Sequence, residues 1–245
     1  MDYLLPIIFF FISFIYSSVG LGGGSAYTAL MVIFGISYHL IPTTSLTLNL
    51  IVTFIGMIHF WKNGFGRLNL ILPFLLTSIP MVYIGGSLTL PEIIFKLILL
   101  ITLFLVAIRI YLLNELKISI QLTDIQKWVF IFCIGGFLGF IAGSVGIGGG
   151  IYLVPLIIMF GLGTEKEAAA SGSMFIWVNS LIGVITRAQF NEFELSFIIP
   201  LSIAVLVGGS LGSYMGSVKF NPKTIQKIMG IVILIAILFL IKGML

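Results

Sequence analysis

The sequence predicts an all-α polytopic membrane protein of two homologous halves, each with a glycine-broken helix pair followed by three spanning helices. Three observations predict it. Hydrophobic residues make up 60% of the 245 residues and charged residues only 8%, with a mean hydropathy of +1.25, whereas soluble domains carry roughly 25% charge. The phrase Ser18-Val19-Gly20-Leu21-Gly22-Gly23-Gly24 returns as Ser144-Val145-Gly146-Ile147-Gly148-Gly149-Gly150, a shift of 126 positions. Each copy interrupts an apolar stretch, and the landmarks that follow it repeat in the same order.

The elements follow in order. Residues 3–17 form an apolar run with Pro6 in its first turn, where proline is tolerated. The start Met1-Asp2-Tyr3 lacks a basic region, and no small-residue cleavage site precedes the glycines, so this run is expected to be retained. After the glycine phrase, residues 26–34 are apolar but too few to span. Gly35 to His39, with Pro42, reads as a loop. Helices are expected over 43–61, 68–88 and 91–113, separated by the basic loop 62–67. The polar stretch 114–126 divides the chain into repeats 1–113 and 127–245. The second half repeats the pattern: apolar 128–142, the glycine phrase, a short run 152–160, then helices over 167–186, 195–215 and 222–242. Gly35 matches Gly161, Ser45 and Thr47 match Ser171 and Ser173, and Gly85-Gly86-Ser87-Leu88 matches Gly208-Gly209-Ser210-Leu211.

Charge decides how the halves relate. If each glycine-broken pair returns to the side it left, Lys62, Arg67, Arg109, Lys117, Lys127, Lys166, Lys219, Lys223 and Lys227 share one side. Lys96, Arg187 and Lys242 share the other, a split of nine to three. If each pair crosses once, the split is seven to five. Basic residues concentrate on the cytoplasmic side, so the first arrangement is favoured. It makes the halves inverted repeats, a common build of secondary transporters, with both termini outside the cell.

The glycine phrases are the candidate site. Irregular backbone at membrane depth survives only where it is buried in protein or lines a polar cavity. Short helices starting after each break would turn their N-terminal amides and positive dipole ends toward such a cavity, which suits a small anion. Gly22, Gly23, Gly24, Ser25, Gly148, Gly149 and Gly150 are the expected backbone ligands. The hydroxyls of Thr44, Ser45, Thr47, Ser171 and Ser173 open the next helix of each half. They serve either as helix caps or as donors to the anion. Close packing of helices is the competing use of the glycines. A dinucleotide fingerprint fails, because the position needed for its third glycine is Ser25 or Ile151.

Asn49 and Asn179 lie farther along those helices and are worth mutating, and His59 beside Trp61 reads as an interfacial residue. The lone Cys133 reads as a packing residue and excludes an internal disulfide or a multi-cysteine metal site. The acidic residues all fall in loops or at helix ends, so no carboxylate relay crosses the membrane. No Lys or Arg is placed where it could neutralise a buried substrate, which leaves the work to helix ends and hydroxyls. No catalytic set, cofactor motif or basic nucleic-acid patch is present. The expected partners are a small anion and the lipid bilayer, and the oligomeric state is not encoded in any visible feature.

The paired Gly-x-Gly-Gly-Gly phrases, the duplicated layout and Thr44-Ser45-Leu46 resemble the TauE/SafE family, also called the sulfite exporter or 4-toluene sulfonate uptake permease family. The resemblance covers essentially the full length. It implies transport of sulfite, an organosulfonate or a related sulfur anion across the cytoplasmic membrane. The second half departs from the first at Ala170-Ser171-Gly172, so the hydroxyl cluster is not symmetric. A passive anion channel and a non-transporting accessory protein remain the alternatives.

Overall fold

Apolar runs fold as helices in hydrocarbon because each segment must satisfy its own amides and carbonyls. The computed structural model describes residues 4–88, 90–112, 124–189, 194–219 and 222–242. These hold α1 (Leu4–Ser17), α2 (Gly24–Ile33), α3 (Leu40–Lys62), α4 (Leu68–Ser87), α5 (Glu92–Leu112), α6 (Asp124–Val145), α7 (Gly150–Met159), α8 (Glu165–Arg187), α9 (Leu195–Val218) and α10 (Pro222–Lys242). Among the described residues, six helices are long and apolar enough to cross a membrane: α3, α4, α5, the Trp128–Val145 part of α6, α8 and α9. The helices α2 and α7 have 10 residues each. At about 1.5 Å per residue each reaches about 15 Å, half the hydrocarbon core.

Several boundaries differ from expectation. The last glycine of each phrase, and Ser25, belong to the first turn of α2 or α7. Helix α3 begins at Leu40 and takes in Pro42, since a first-turn proline loses no hydrogen bond. Thr44, Ser45 and Thr47 therefore sit beyond its first turn and do not cap it. Helix α8 begins at Glu165 with a capping box: Thr164 Oγ1 accepts from Glu167 N, and Thr164 N donates to Glu167 Oε2. Residues 113–123, most of the expected connector, lie outside the described residues, and Asp124 already belongs to α6.

Close contacts give the direction of each helix pair. On α6, Gly135, Gly139 and Gly143 lie against Phe74, Ser78 and Val82 of α4, in parallel register. On α9, Gly208, Gly212 and Gly216 lie against Phe10 and Phe14 of α1 and the adjoining Ser18, also in parallel. An added Cβ at any of these glycines would overlap a facing backbone carbonyl. Gly56 meets Ser173 and Gly183 meets Leu46, so α3 and α8 run antiparallel. Val52 meets Gly209 and Asn63 meets Ser217, so α3 and α9 run parallel; Ser78 meets Asn179 and Gly86 meets Thr186, so α4 and α8 do too. Exchanging the halves leaves this scheme intact: α4–α6 becomes α9–α1, and α3–α9 becomes α8–α4.

The loop after α3, the start of α8 and the end of α9 meet at one end of the bundle. There Arg67 pairs with Glu167 at 3.3 Å, and Lys166 Nζ donates to Ser217 O at 3.0 Å beneath the Phe65 ring. The start of α3 and the end of α8 meet at the opposite end. Large apolar side chains such as Leu76, Phe104, Ile203 and Leu238 are exposed around the perimeter, as a hydrocarbon surround allows. Cys133 is exposed among them, which corrects its reading as a packing residue.

Candidate functional site

The site begins with two breaks in the helical backbone. After α1 the chain turns through Gly20 (φ 76) and Gly23 (φ 99), and after α6 through Gly146 (φ 81), Gly148 (φ 81) and Gly149 (φ 77). Glycine adopts this left-handed conformation without the Cβ penalty. The amides of Gly22, Gly23, Gly24 and Ser25, and of Gly148, Gly149, Gly150 and Ile151, take no part in the backbone hydrogen bonds of these turns. They are the orphan donors of two helix N-termini.

Asn49 of α3 joins the two phrases. Its Nδ2 donates to Ile147 O at 3.3 Å, and its side chain lies against Gly22, Gly24 and Gly148, where a Cβ would overlap or crowd it. Gly24 in turn lies against Ile147 O. Ser180 of α8 faces the same Gly148. Among the described residues, Asn49 Oδ1, Ser180 Oγ, Asn179 Nδ2 and Ser171 Oγ are buried without a hydrogen-bond partner. An unpartnered buried polar group costs about 1–3 kcal/mol, so Asn49 Oδ1 and Ser180 Oγ, both on side chains beside Gly148, are unexpected in a core built only for packing.

Two of the expected hydroxyls hold the phrases in place. Ser45 Oγ lies 2.8 Å from Gly146 O and 3.2 Å from Gly24 O, and accepts from Thr28 Oγ1 at 3.2 Å. It therefore ties a first-half helix to the second-half phrase. Ser173 Oγ reaches Gly20 O at 3.0 Å, tying a second-half helix to the first-half phrase. Both protons are directed at backbone carbonyls.

The other expected residues divide. Gly22, Gly24 and Gly148 converge on Asn49. Gly23 packs on the Tyr27 ring, Gly149 on Phe175 and Gly150 on Ile176. Ser25 Oγ is 3.5 Å from Tyr16 Oη, Thr47 bonds back to Thr43 O at 2.9 Å, and Thr44 is buried on α3. His59 is not simply interfacial: its Nδ1 is 2.7 Å from Ser213 Oγ on α9.

One basic residue corrects the expectation that none is buried. Arg187, read as a loop residue, ends α8 and is 6% exposed. Its Nη2 donates to Gly143 O at 2.7 Å and Ser144 O at 2.9 Å, just ahead of the second phrase. Its place after the apolar run Leu181 to Thr186 gave no sign of burial, because α6 and α3 supply the cover from distant sequence.

The chain matches the family described as Sulfite exporter TauE/SafE over residues 5–240. It belongs to the TauE/SafE sulfite exporter family. It is 31% identical over 235 residues to a protein named "Probable membrane transporter protein y4hK" of Sinorhizobium fredii, covering 95% of both chains. It is 26% identical to "Probable membrane transporter protein YjnA" of Bacillus subtilis over 94% of this chain and 96% of that one. A "Probable membrane transporter protein" of Haemophilus influenzae is 30% identical over 79% of this chain and 77% of its own length. No solved structure matches. The TauE/SafE match runs from α1 into α10, so it takes in both glycine phrases and Asn49.

Proposed function

We propose that this chain is a secondary transporter in the cell membrane that moves a small sulfur-containing anion, sulfite or an organosulfonate. The anion is held between the two glycine phrases. The observation that carries the reading is the convergence of both phrases on Asn49, with backbone amides and Ser180 left unpaired there. Two helix N-termini supply donors and partial positive charge to an anion without a buried cation at the centre. The match to a sulfite exporter family supports the substrate class, and relatives named probable membrane transporters support the activity.

The halves, residues 1–113 and 127–245, act as inverted repeats about this centre, each broken at its glycine phrase. Support comes from the antiparallel pairing of α3 with its repeat partner α8. It comes also from Arg67 and Lys166 lying at one end of the bundle, which agrees with the nine-to-three division of charge and not with the seven-to-five. That end faces the cytoplasm, and both termini lie outside. The cavities flanking the centre are about 20 and 10 Å3. Cavities this small suit a carrier better than an open channel.

The test is uptake of labelled sulfite into proteoliposomes holding the purified protein. Saturation and counterflow are expected, with loss of both in Asn49→Asp, which sets a negative charge among the amides. Non-saturating flux without counterflow would establish a channel instead, and absence of flux for sulfite, thiosulfate, sulfoacetate and sulfate alike would end the anion reading.

A further inference from the structure

The end of α8 carries a charge that the glycine site does not use. Arg187 is 6% exposed, and a buried cation demands compensation. Among the described residues the ion pairs are Arg67–Glu167 and Lys96–Glu92, so no carboxylate there balances Arg187. Nη2 caps the carbonyls of Gly143 and Ser144, where the negative end of α6 offsets part of the charge. Nε is buried and has no partner.

The surroundings of this side chain combine polar groups with the apolar cover of Leu88, Leu90 and Phe95. A cavity of about 20 Å3 is lined by Arg187, Ser144, Pro42, Tyr38 and His39. Such a space holds about one water or the leading oxygen of an anion. The N-terminus of α3 borders it: His39 is the N-cap residue, and α3 carries no acidic residue in its first turn. Tyr38 and His39 are partly or fully exposed, so the cavity lies between the surface and the second glycine phrase; Gly146 itself packs on Pro42. The cavity at the opposite end differs, because Lys166 there shares the lining with Glu165.

We propose that Arg187, Ser144 and the start of α3 form a second, outer binding site for a small oxyanion, a vestibule through which it reaches the glycine phrases. This rests on the anion-transport reading above. The guanidinium is suited to it, since a planar fork can hold α6 carbonyls with one edge while another nitrogen meets an oxyanion. A lysine could keep the cap and would lose that fork.

The test places a reporter at the mouth. In a Cys133→Ala background, His39→Cys is labelled with a charged thiosulfonate, with and without sulfoacetate or sulfate, anions that cleave neither the reagent nor its mixed disulfide. With Arg187 present, at least one anion is expected to slow labelling about threefold at twice its Kd, as one plus the ratio of ligand to Kd requires. Arg187→Lys and Arg187→Gln are expected to abolish that protection, while Arg187→Lys keeps a wild-type melting temperature. Protection that persists in either variant, or none from both anions with Arg187 in place, overturns the proposal. The same labelling in Asn49→Asp separates the two sites. Protection there with transport lost leaves the vestibule standing beside a damaged centre, and saturable transport by the wild type without protection removes the vestibule alone.

Discussion

At the scale of residues, the centre depends on a few polar side chains that hold backbone in place. Ser45 and Ser173 are reciprocal ties, each directing its hydroxyl at the glycine phrase of the opposite half. Replacing either by alanine leaves a buried carbonyl unpaired, at about 1–3 kcal/mol. Each hydroxyl lies within reach of two carbonyls, and Ser45→Ala is expected to lose more because Ser45 also accepts from Thr28. Thermal unfolding in detergent checks both. Asn49 differs in kind, since Nδ2 gives one hydrogen to Ile147 O and carries a second between the two phrases, where an anion could accept it. Asn49→Ala is expected to weaken anion binding by about tenfold or more, the worth of a hydrogen bond to a charged group, with a smaller change in melting temperature. Calorimetric titration with sulfite measures it, and unaltered affinity would remove Asn49 from the site. Of these residues, Ser45 and Ser173 were legible as members of a repeated hydroxyl pattern. Their acceptors were not, because Gly146 and Gly20 are 101 and 153 positions away.

At the scale of elements, the structure turns on two glycine stripes, Gly135-Gly139-Gly143 on α6 and Gly208-Gly212-Gly216 on α9. Spaced every fourth residue, they bring helix backbones into contact, as small residues do where lipid removes the hydrophobic drive for association. Gly139→Val is expected to force α4 and α6 apart and destabilise the protein by about 1–3 kcal/mol or more, the usual cost of overpacking. Gly136→Ala is the control, since its Cβ would sit at 3.6 Å from Met81 in ordinary contact and should leave the unfolding temperature unchanged. Both stripes were visible in the sequence as Gly-x-x-x-Gly spacing. The glycine phrases contain the same spacing, Gly20 to Gly24 and Gly146 to Gly150, so spacing alone does not separate packing glycines from site glycines. The same competition blurred helix starts: Gly24 and Gly150 read as part of a break, yet they begin α2 and α7.

At the scale of the whole molecule, the most extensive pairings among the described residues have counterparts under exchange of halves: α4–α6 matches α9–α1, and α3–α9 matches α8–α4, while α3 and α8 run antiparallel. The inverted halves proposed above would place the start of α3 outside and the loop after it in the cytoplasm. In the Cys133→Ala background, a cysteine at Asn63 is expected to react with an impermeant maleimide only from the cytoplasmic side, and one at His39 only from outside. Labelling of both from the same side would refute the arrangement. Such halves let a site between them open to one face and then the other by rocking, and the 20 and 10 Å3 cavities at the two ends are the spaces such a motion would enlarge.

By itself the sequence determined the solvent, the helical class and the recurrence of the glycine phrase. Each of these follows from local composition or from spacing along the chain: 60% hydrophobic residues cannot face water, and the phrase recurs at an offset of 126 positions. Only the tertiary structure decided which polar groups meet. Asn49 joins two phrases on either side of it in sequence, Ser45 and Ser173 cross between halves, and Arg187 is buried by α6 and α3. The physical reason is that pairing of buried polar groups is enforced between distant segments, where a low dielectric makes each missing partner costly. Periodicity in one segment carries no record of the partner that satisfies it.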